Sequence, residues 1–136
     1  MRYAAVLLTL AAVLLVAALP DSKDVKPQEV LIVPEYIEGV AFDHDGNIYI
    51  CHGKVSTQIS LDGKEVKHRT WAETGAPNGH KVLADGTHLV CDASQHAVLH
   101  LDASGKVLGK ASSECDGKPL RGPNDLTLDP KGGFYF

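Results

Sequence analysis

The sequence has few of the residues and motifs that mark several large functional classes. Its 136 residues include one tryptophan, one methionine and three phenylalanines, and the net charge is −4. Lysine and arginine form no cluster, so the chain lacks the electrostatic footprint of a nucleic-acid-binding protein. It also has no Gly-x-Ser-x-Gly elbow and no Walker loop. Serine-hydrolase and nucleotide-binding functions therefore find no support.

Helical periodicity is also absent after the N-terminal apolar run. The chain instead shows short alternating runs that are separated by turn dipeptides, and Asp-Gly between such runs favours type I′ hairpin turns. These dipeptides are Asp45-Gly46, Asp62-Gly63, Asp85-Gly86, Ser104-Gly105 and Asp116-Gly117. The strands predicted between them are Glu29–Val33, Gly39–Phe42, Ile48–Cys51, Thr57–Leu61, Glu65–Thr70, Lys81–Leu83, His88–Cys91, Ala97–Leu101, Lys106–Lys110, Leu126–Leu128 and Phe134–Phe136. The pattern predicts an all-β fold.

The N-terminal segment has the features of an export signal. Residues 4–19 are apolar apart from one threonine, follow an arginine and end near small residues. We predict a secretory signal peptide over residues 1–18, cleaved after Ala18, and a polar linker over residues 19–28. The apolar run is shorter than the roughly 20 residues of a spanning helix, so an uncleaved anchor is the less favoured alternative. We therefore expect a periplasmic or extracellular protein with no stable membrane span after cleavage.

Three later stretches can be aligned with one another: residues 38–51, 78–91 and 124–136. Their first residues, Glu38, Asn78 and Asn124, are separated by 40 and 46 positions. Periods of that size, with several short strands in each, are typical of β-propeller blades. Equivalent positions in successive blades surround one axis, so the three side-chain oxygens should converge near a central channel. A hard cation such as Ca²⁺ is bound by oxygen ligands of this kind.

The sequence contains roughly two and a half such blades, whereas a propeller closes with about four to eight. The last residues, Phe134 to Phe136, have a buried-strand pattern and are followed by no turn or cap. An unclosed stack would expose long unpaired strand edges. We therefore expect residues 29–136 to be a partial propeller domain, the N-terminal part of a longer protein.

The cysteines leave their pairing open. Export favours a disulfide, and three thiols (Cys51, Cys91 and Cys115) leave one unpaired. Cys51 and Cys91 occupy the same place in two successive repeats. The simpler interpretation is that both are small buried side chains in neighbouring strands. A Cys51–Cys91 bridge needs Cα atoms within about 7 Å, which the spacing alone does not establish.

Several motifs resemble one known family. They are Pro77-Asn-Gly79, Leu89-Val-Cys-Asp92 and the long stretch from Asp116 to Phe136, with Glu38-Gly-Val-Ala41 at the start. The most specific part is Gly-Lys-Pro-Leu followed by Pro-Asn-Asp. From Glu35 onward the chain resembles the senescence-marker-protein/gluconolactonase/luciferin-regenerating-enzyme family of six-bladed β-propellers.

The resemblance implies a divalent-cation site in the central cavity. Glu38 matches the first-blade glutamate that binds the cation, and Asn124 matches the Pro-Asn-Asp asparagine that faces it. Asn78 matches an asparagine that lines the same cavity, so Asn78 and Asn124 are candidates for substrate binding. Two further ligands and the general base belong to later blades, beyond residue 136. Some members have an arginine at the position of Gly122, and since Arg121 is one step off, it is assigned no role.

Each of these positions also has a purely structural interpretation. A glutamate at the start of a strand is usually solvated, and an asparagine after a proline is a common turn residue. The shared register with Asn78 and Asn124 favours the site for Glu38, and the match to the family favours it for Asn124. For Asn78 the two interpretations stay open.

Two other metal hypotheses are weaker. Asp43 to Asn47 superficially resembles a calcium loop, but the twelfth position is Lys54, where an EF-hand requires a glutamate. We predict a hairpin turn there. The closest zinc-type cluster is Cys91, His96 and His100, and it matches no recognised zinc pattern.

The leading functional hypothesis is an exported, calcium-dependent hydrolase of the gluconolactonase/lactonase class. The cation would polarise the carbonyl of a lactone or related ester while water attacks it. Sugar lactones, homoserine-type lactones and phosphotriesters all suit an oxygen-lined metal pocket. The alternative is a non-catalytic propeller that binds a ligand or partner and has a vestigial or structural metal site, because the fold alone does not decide function.

Overall fold

A computed structural model describes residues 21–136. The predicted signal peptide and the first two residues of the predicted linker lie outside the described residues. A single 3₁₀ turn, Ser22–Asp24, precedes the strands. No helix within residues 21–136 has the length and apolar character needed to cross a membrane.

Two four-stranded antiparallel sheets form most of the described chain. The first contains β1 (Ile37–Phe42), β2 (Ile48–His52), β3 (Val55–Asp62) and β4 (Glu65–Glu73). The second contains β5 (Pro77–Val82), β6 (His88–Asp92), β7 (Ala97–Leu101) and β8 (Val107–Ser112). In both sheets, strands that are consecutive in sequence are neighbours in space. Each sheet is therefore a four-stranded meander, the unit of a propeller blade.

Two small hairpins follow. Strands β9 (Glu114–Cys115) and β10 (Lys118–Pro119) form one, and β11 (Thr127–Leu128) and β12 (Phe134–Tyr135) form the other. The second hairpin occupies the place of the first two strands of a third blade. The predicted all-β architecture of about two and a half blades is confirmed.

Most predicted strands overlap the observed ones, although the strand predicted over Lys81–Leu83 begins four residues earlier, at Pro77, and ends at Val82. Two further differences are larger. Residues 29–33 form no strand, which corrects the prediction for Glu29–Val33. Gln28 to Leu31 line a groove with Ile37, Val40 and other apolar residues of the first sheet, so this segment lies against side chains and pairs with no described strand edge. The hairpin of β9 and β10 is the second difference, because its strands are too short for an alternating pattern.

The turns also differ from the prediction. Among the five turn dipeptides, Asp116-Gly117 alone has positive φ at both residues, as a type I′ turn requires. At Asp45-Gly46 the glycine alone has positive φ, and its N–H donates to the carbonyl of Asp43. This is a type I turn closed by a bulged glycine, which is the commonest longer hairpin connection.

The core consists of two apolar layers, one on each side of the second sheet. The layer between the two sheets contains Ala41, Tyr49, Cys51, Trp71, Ala72, Val90, Ala97, Leu99 and Leu101. We call the two sheets and the partial third blade (β11 and β12) the three units. The other layer joins the second sheet to the third unit and contains Leu89, Cys91, Val98 and Leu126, with Leu83 and Phe134 packed against it. Residues alternate between the layers along β6 because successive side chains of a strand point to opposite faces. The sheets are therefore stacked face to face, in the manner of propeller blades.

Candidate functional site

The three candidate side chains belong to equivalent places in successive units. Glu38 is the second residue of β1, Asn78 is the second residue of β5, and Asn124 lies three residues before β11. In each sheet this strand is the first of the meander and lies at the edge. The register of the repeats, read from the sequence, is therefore the register of the folded chain.

A β-bulge occurs at this place in both sheets. In the first sheet, Glu38 pairs with Cys51, and the regular register resumes only at Ala41. In the second sheet, Pro77 pairs with Asp92, and the register resumes at His80. Bulges of this kind re-aim side chains and are frequent next to active sites. Sequence reasoning missed them, although the glycine directly after Glu38 and the one directly after Asn78 are signals for a bulge.

The main chains of neighbouring units meet at these bulges. A Cβ atom added to Gly39 would overlap the carbonyl oxygen of Asn78. A Cβ atom added to Gly79 would lie 2.6 Å from the Cα of Asp125 and 2.8 Å from the carbonyl oxygen of Asn124. The amide of Gly79 also donates to the carbonyl of Asn124, with an N–O distance of 2.7 Å. The structure thus brings the three sequence-predicted positions together at one end of the blades, which we call the site end.

The exposure of the three side chains differs. Glu38 and Asn78 are half-buried, and Asn124 is exposed. A half-buried carboxylate is less screened by solvent than a surface one, so it interacts more strongly with a nearby cation. All three donors are hard oxygen ligands, which fits a cation of the calcium type. The roles of Glu38, Asn78 and Asn124 as ligands stay predictions.

Cys51 is paired with Glu38 across β1 and β2, and its Sγ lies 3.0 Å from where a Cβ atom on Gly39 would be. Its Sγ is 3.2 Å from the Ser56 hydroxyl oxygen and 4.0 Å from Nδ1 of His80. Burial raises the pKa of the Cys51 thiol to about 11, and the carboxylates of Asp92 and Glu38 contribute to the increase. The thiol is therefore protonated and unreactive at neutral pH.

Two buried histidines, His80 and His88, lie in the layer between the sheets, where His80 is next to Cys51. Nε2 of His80 and Nδ1 of His88 are 2.8 Å apart, and both rings pack against Tyr49 and Trp71. Burial lowers the pKa of His80 to about 3, and it also lowers the pKa of His88. Both rings are therefore neutral at pH 7. Sequence reasoning assigned them no role, and nothing in their spacing distinguishes them from the other histidines.

Asp92 supports the chain that leads to Asn78. Its buried carboxylate accepts hydrogen bonds from the main-chain N–H of Ala76, the Ser94 hydroxyl and the main-chain N–H of Gln95. Burial raises the pKa of Asp92, but the hydrogen bonds that the carboxylate accepts outweigh that effect and lower it overall. The ionised carboxylate therefore fixes the link between the first and second sheets.

The weaker metal candidates are placed differently. The carboxylate of Asp43 accepts bonds from the main-chain N–H groups of Asp45 and Asn47, so this segment is a hairpin turn as predicted. The ring of His96 bonds to the carbonyl of Arg121, and that of His100 to the hydroxyl of Thr87. Over residues 21–136, no three His, Cys, Asp or Glu side chains are grouped so that they could hold a metal ion.

The cysteines are all free in the described chain. Cys51 and Cys91 are buried in β2 and β6, and Cys115 is exposed. Cys51 belongs to the layer between the sheets and Cys91 to the layer beyond the second sheet. Both behave as small apolar side chains, as the simpler interpretation predicted.

Comparison with known proteins finds similarity to two of them. The chain is 28% identical over 107 residues to a protein named lactonase drp35 from Staphylococcus haemolyticus (strain JCSC1435), a match that covers 74% of this chain and 32% of the relative. It is also similar to a gluconolactonase from Xanthomonas campestris, with a TM-score of 0.59, 21% identity, and coverage of 72% of this chain and 33% of that structure. No protein-family model matches. The chain spans about a third of the length of these relatives, and the structural likeness confirms the predicted β-propeller fold.

Proposed function

Since the two matches relate this chain to the senescence-marker-protein/gluconolactonase/luciferin-regenerating-enzyme family, we propose that it is part of a divalent-cation-dependent lactone hydrolase. The observation that carries the proposal is the contact of Gly39 with Asn78 and of Gly79 with Asn124. These contacts gather one carboxylate and two carboxamides from three units at the site end. We further propose that the protein is exported, on the basis of the N-terminal apolar segment.

In this proposal Glu38 and Asn124 hold the cation, and the cation is Ca²⁺. When bound, the cation would polarise the lactone carbonyl and stabilise the developing oxyanion. Glu38 supplies the negative charge, and its half-buried position keeps that charge from being fully screened.

Asn78 and Asn124 are the substrate-side groups. Each carboxamide has two N–H donors and an acceptor oxygen, so it can orient the carbonyl or a hydroxyl of a small lactone or related ester. The described residues supply no obvious general base. His80 is buried, hydrogen-bonded to His88 and has a pKa lowered to about 3, chiefly by burial, so it is a poor proton acceptor at neutral pH. We therefore assign that role to none of the described residues.

The Glu38→Gln substitution in the complete protein tests the proposal. It removes the charge of the side chain but nearly keeps its shape. We expect lactone hydrolysis to be abolished and Ca²⁺ binding, measured by calorimetric titration, to be greatly weakened while the fold is retained. Glu73→Gln is the matched control, because Glu73 is an exposed carboxylate at the same end of the first sheet, on the outer strand β4. It should leave both properties unchanged.

Two outcomes would contradict parts of the proposal. Unchanged Ca²⁺ affinity and turnover in Glu38→Gln would show that Glu38 is only a strand residue. Ca²⁺ binding that depends on Glu38, without turnover of sugar lactones, homoserine-type lactones or phosphotriesters, would favour the non-catalytic binding protein. The 136-residue chain by itself should bind Ca²⁺ weakly or not at all, because Ca²⁺ requires about six to eight oxygen ligands.

A further inference from the structure

The segment from Arg121 to Asn124, which we call the Asn124 segment, is held at both ends. At its C-terminal end, the carbonyl of Asn124 accepts the Gly79 N–H. In its middle, Pro123 is buried and has a restricted φ, while a Cβ atom on Gly122 would lie 3.9 Å from the Cβ of Ala93. The conformation of Asn124 therefore depends on where this segment rests on the turn between β6 and β7.

His96, in that turn, holds the N-terminal end of the segment. Its Nδ1 is 2.8 Å from the carbonyl oxygen of Arg121. Because a carbonyl oxygen only accepts, Nδ1 must carry the proton and donate it. This bond joins the second sheet to the chain that leads into the third unit.

The backbone of His96 is in a conformation that few residues adopt. Its φ is +50°, in the left-handed region that glycine occupies without strain. Asp116 is the one other non-glycine residue of the described chain with positive φ. A non-glycine side chain at such a position is a reason to look for a function of that side chain.

We propose that His96 is a positioning residue for the candidate site: it fixes the Asn124 segment and thereby the direction of the Asn124 carboxamide. The inference rests on the proposed function, because it assumes that Asn124 serves cation or substrate binding. His96 itself acts through the main chain of Arg121. The hydrogen bond from His96, in the turn between β6 and β7, and the bond from the Gly79 N–H in β5 hold the two ends of the segment.

The sequence offers two variants that separate the hydrogen bond from the backbone strain. His96→Gly removes the donor but suits the positive φ. His96→Asn retains a donor, because the Asn side-chain nitrogen is attached to Cγ as Nδ1 is in histidine, and asparagine tolerates the left-handed region. A merely structural role for His96 predicts no loss of activity in the glycine variant, since strain is relieved there.

His44 provides a matched control at the opposite end of the blades. Its Nε2 is 3.3 Å from the carbonyl oxygen of Leu83, so it also joins one blade to the main chain of the next. His44→Ala removes a bond of the same kind, far from the Asn124 segment.

The experiment uses the complete protein and measures kcat, KM, Ca²⁺ affinity and the hydrogen-exchange rate of the Gly79 amide, whose acceptor is Asn124. In His96→Gly we expect kcat to fall roughly tenfold through misplacement of Asn124, with a smaller change in KM. We expect the Gly79 amide to exchange about fivefold faster, the scale of one lost hydrogen bond. His96→Asn should restore both values to near wild type, and His44→Ala should leave both unchanged.

The inference is overturned if His96→Gly keeps wild-type kcat and wild-type Gly79 exchange, or if His96→Asn performs no better than His96→Gly. A wild-type protein that hydrolyses no lactone would contradict the proposed function separately. In that case the Gly79 exchange rate still decides whether His96 holds the segment.

Discussion

The two ends of the blades use glycine for different physical reasons. At the site end, Gly39 and Gly79 lie where the main chain of the next unit leaves no space for a Cβ atom. At the opposite end, which we call the turn end, Gly46 and Gly86 have no heavy atom within 4 Å of an added Cβ atom. Their positive φ closes a local turn. Gly39 and Gly79 therefore join units, whereas Gly46 and Gly86 each shape a single hairpin. Gly105, in the turn between β7 and β8, is an exception, because an added Cβ atom there would overlap the carbonyl oxygen of Trp71 in the first sheet.

This difference bears on where the proposed site lies in the repeat. At the turn end, a carboxylate such as Asp43 satisfies the N–H groups of its own turn, although the neighbouring His44 also bonds to the carbonyl of Leu83 in the next unit. At the site end, a residue of one unit is fixed by the main chain of the next. We therefore expect a substitution at Gly39 or Gly79 to change the relative position of Glu38, Asn78 and Asn124, and a substitution at Gly46 or Gly86 to leave it unchanged.

The largest expected effect is that of Gly39→Ala. The new Cβ atom would overlap the Asn78 carbonyl. The backbone of this residue is also left-handed, with a φ of +55°, and alanine is strained in that conformation. We expect a loss of roughly 3 kcal/mol or more in the free energy of unfolding. Gly46→Ala, with a φ of +83° and open space around it, should cost only about 1 kcal/mol. Chemical denaturation measures both, and equal losses would break the comparison of the two ends.

Gly79→Ala isolates close approach from backbone strain, because Gly79 does not have positive φ. The added Cβ atom would lie 2.6 Å from the Cα of Asp125, and we expect a loss of about 2 kcal/mol. Gly109→Ala in β8 is the control, with no positive φ and nothing within 4 Å. It should be neutral or slightly stabilising, and a comparable loss in both variants would contradict the explanation by close approach.

Part of this architecture was predictable from the sequence. The repeat spacing gave the correct register of Glu38, Asn78 and Asn124, because a blade is a local unit whose period is written in the chain. The glycines after Glu38 and Asn78 are a local signal for the two bulges. The contacts of Gly39 and Gly79 with the next unit were not predictable from local patterns, since they depend on how two units approach each other. The same limit applies to His80 and His88, whose pairing arises only when the two sheets stack.

The segment of residues 29–33 shows the opposite failure. Its run of apolar side chains from Val30 to Val33 favoured a strand, but a strand also requires an edge with which to pair. Leu31 and Val33 are half-buried in the structure, whereas Val30 and Ile32 are exposed, so one face of the run is in contact with the protein. The pattern reported burial and not hydrogen bonding.

The layer between the two sheets connects the two ends and should respond to pH. Burial is the main cause that lowers the pKa of His80 from 6.5 to about 3, so below pH 6.5 the unfolded chain binds a proton that the folded chain does not. Stability should therefore fall as the pH decreases from about 6.5 to 3, by about 1.4 kcal/mol per pH unit for this group. When the free energy of unfolding is measured by denaturant titration at several pH values, its decrease per pH unit should be smaller in His80→Gln by that amount. The exposed His68 provides the control, and an unchanged slope in His80→Gln would contradict the assignment.

The smallest effect is expected for Asp43→Ala at the turn end. Asp43 accepts hydrogen bonds from the N–H groups of Asp45 and Asn47, the Asn47 side chain and the Tyr49 hydroxyl. Tyr49 keeps a second partner, because Gln58 donates to its hydroxyl oxygen. The loss in the free energy of unfolding should therefore be only about 1 kcal/mol.

This variant also tests where the cation binds. If the site end holds the cation, Asp43→Ala should leave Ca²⁺ affinity and lactone turnover unchanged in the complete protein, because the four hydrogen bonds it removes lie within one hairpin. Calorimetric titration of Asp43→Ala beside Glu38→Gln compares the two ends directly. A loss of affinity in Asp43→Ala with none in Glu38→Gln would place the cation in the loop from Asp43 to Asn47, and the comparison of a functional site end with a structural turn end would be reversed.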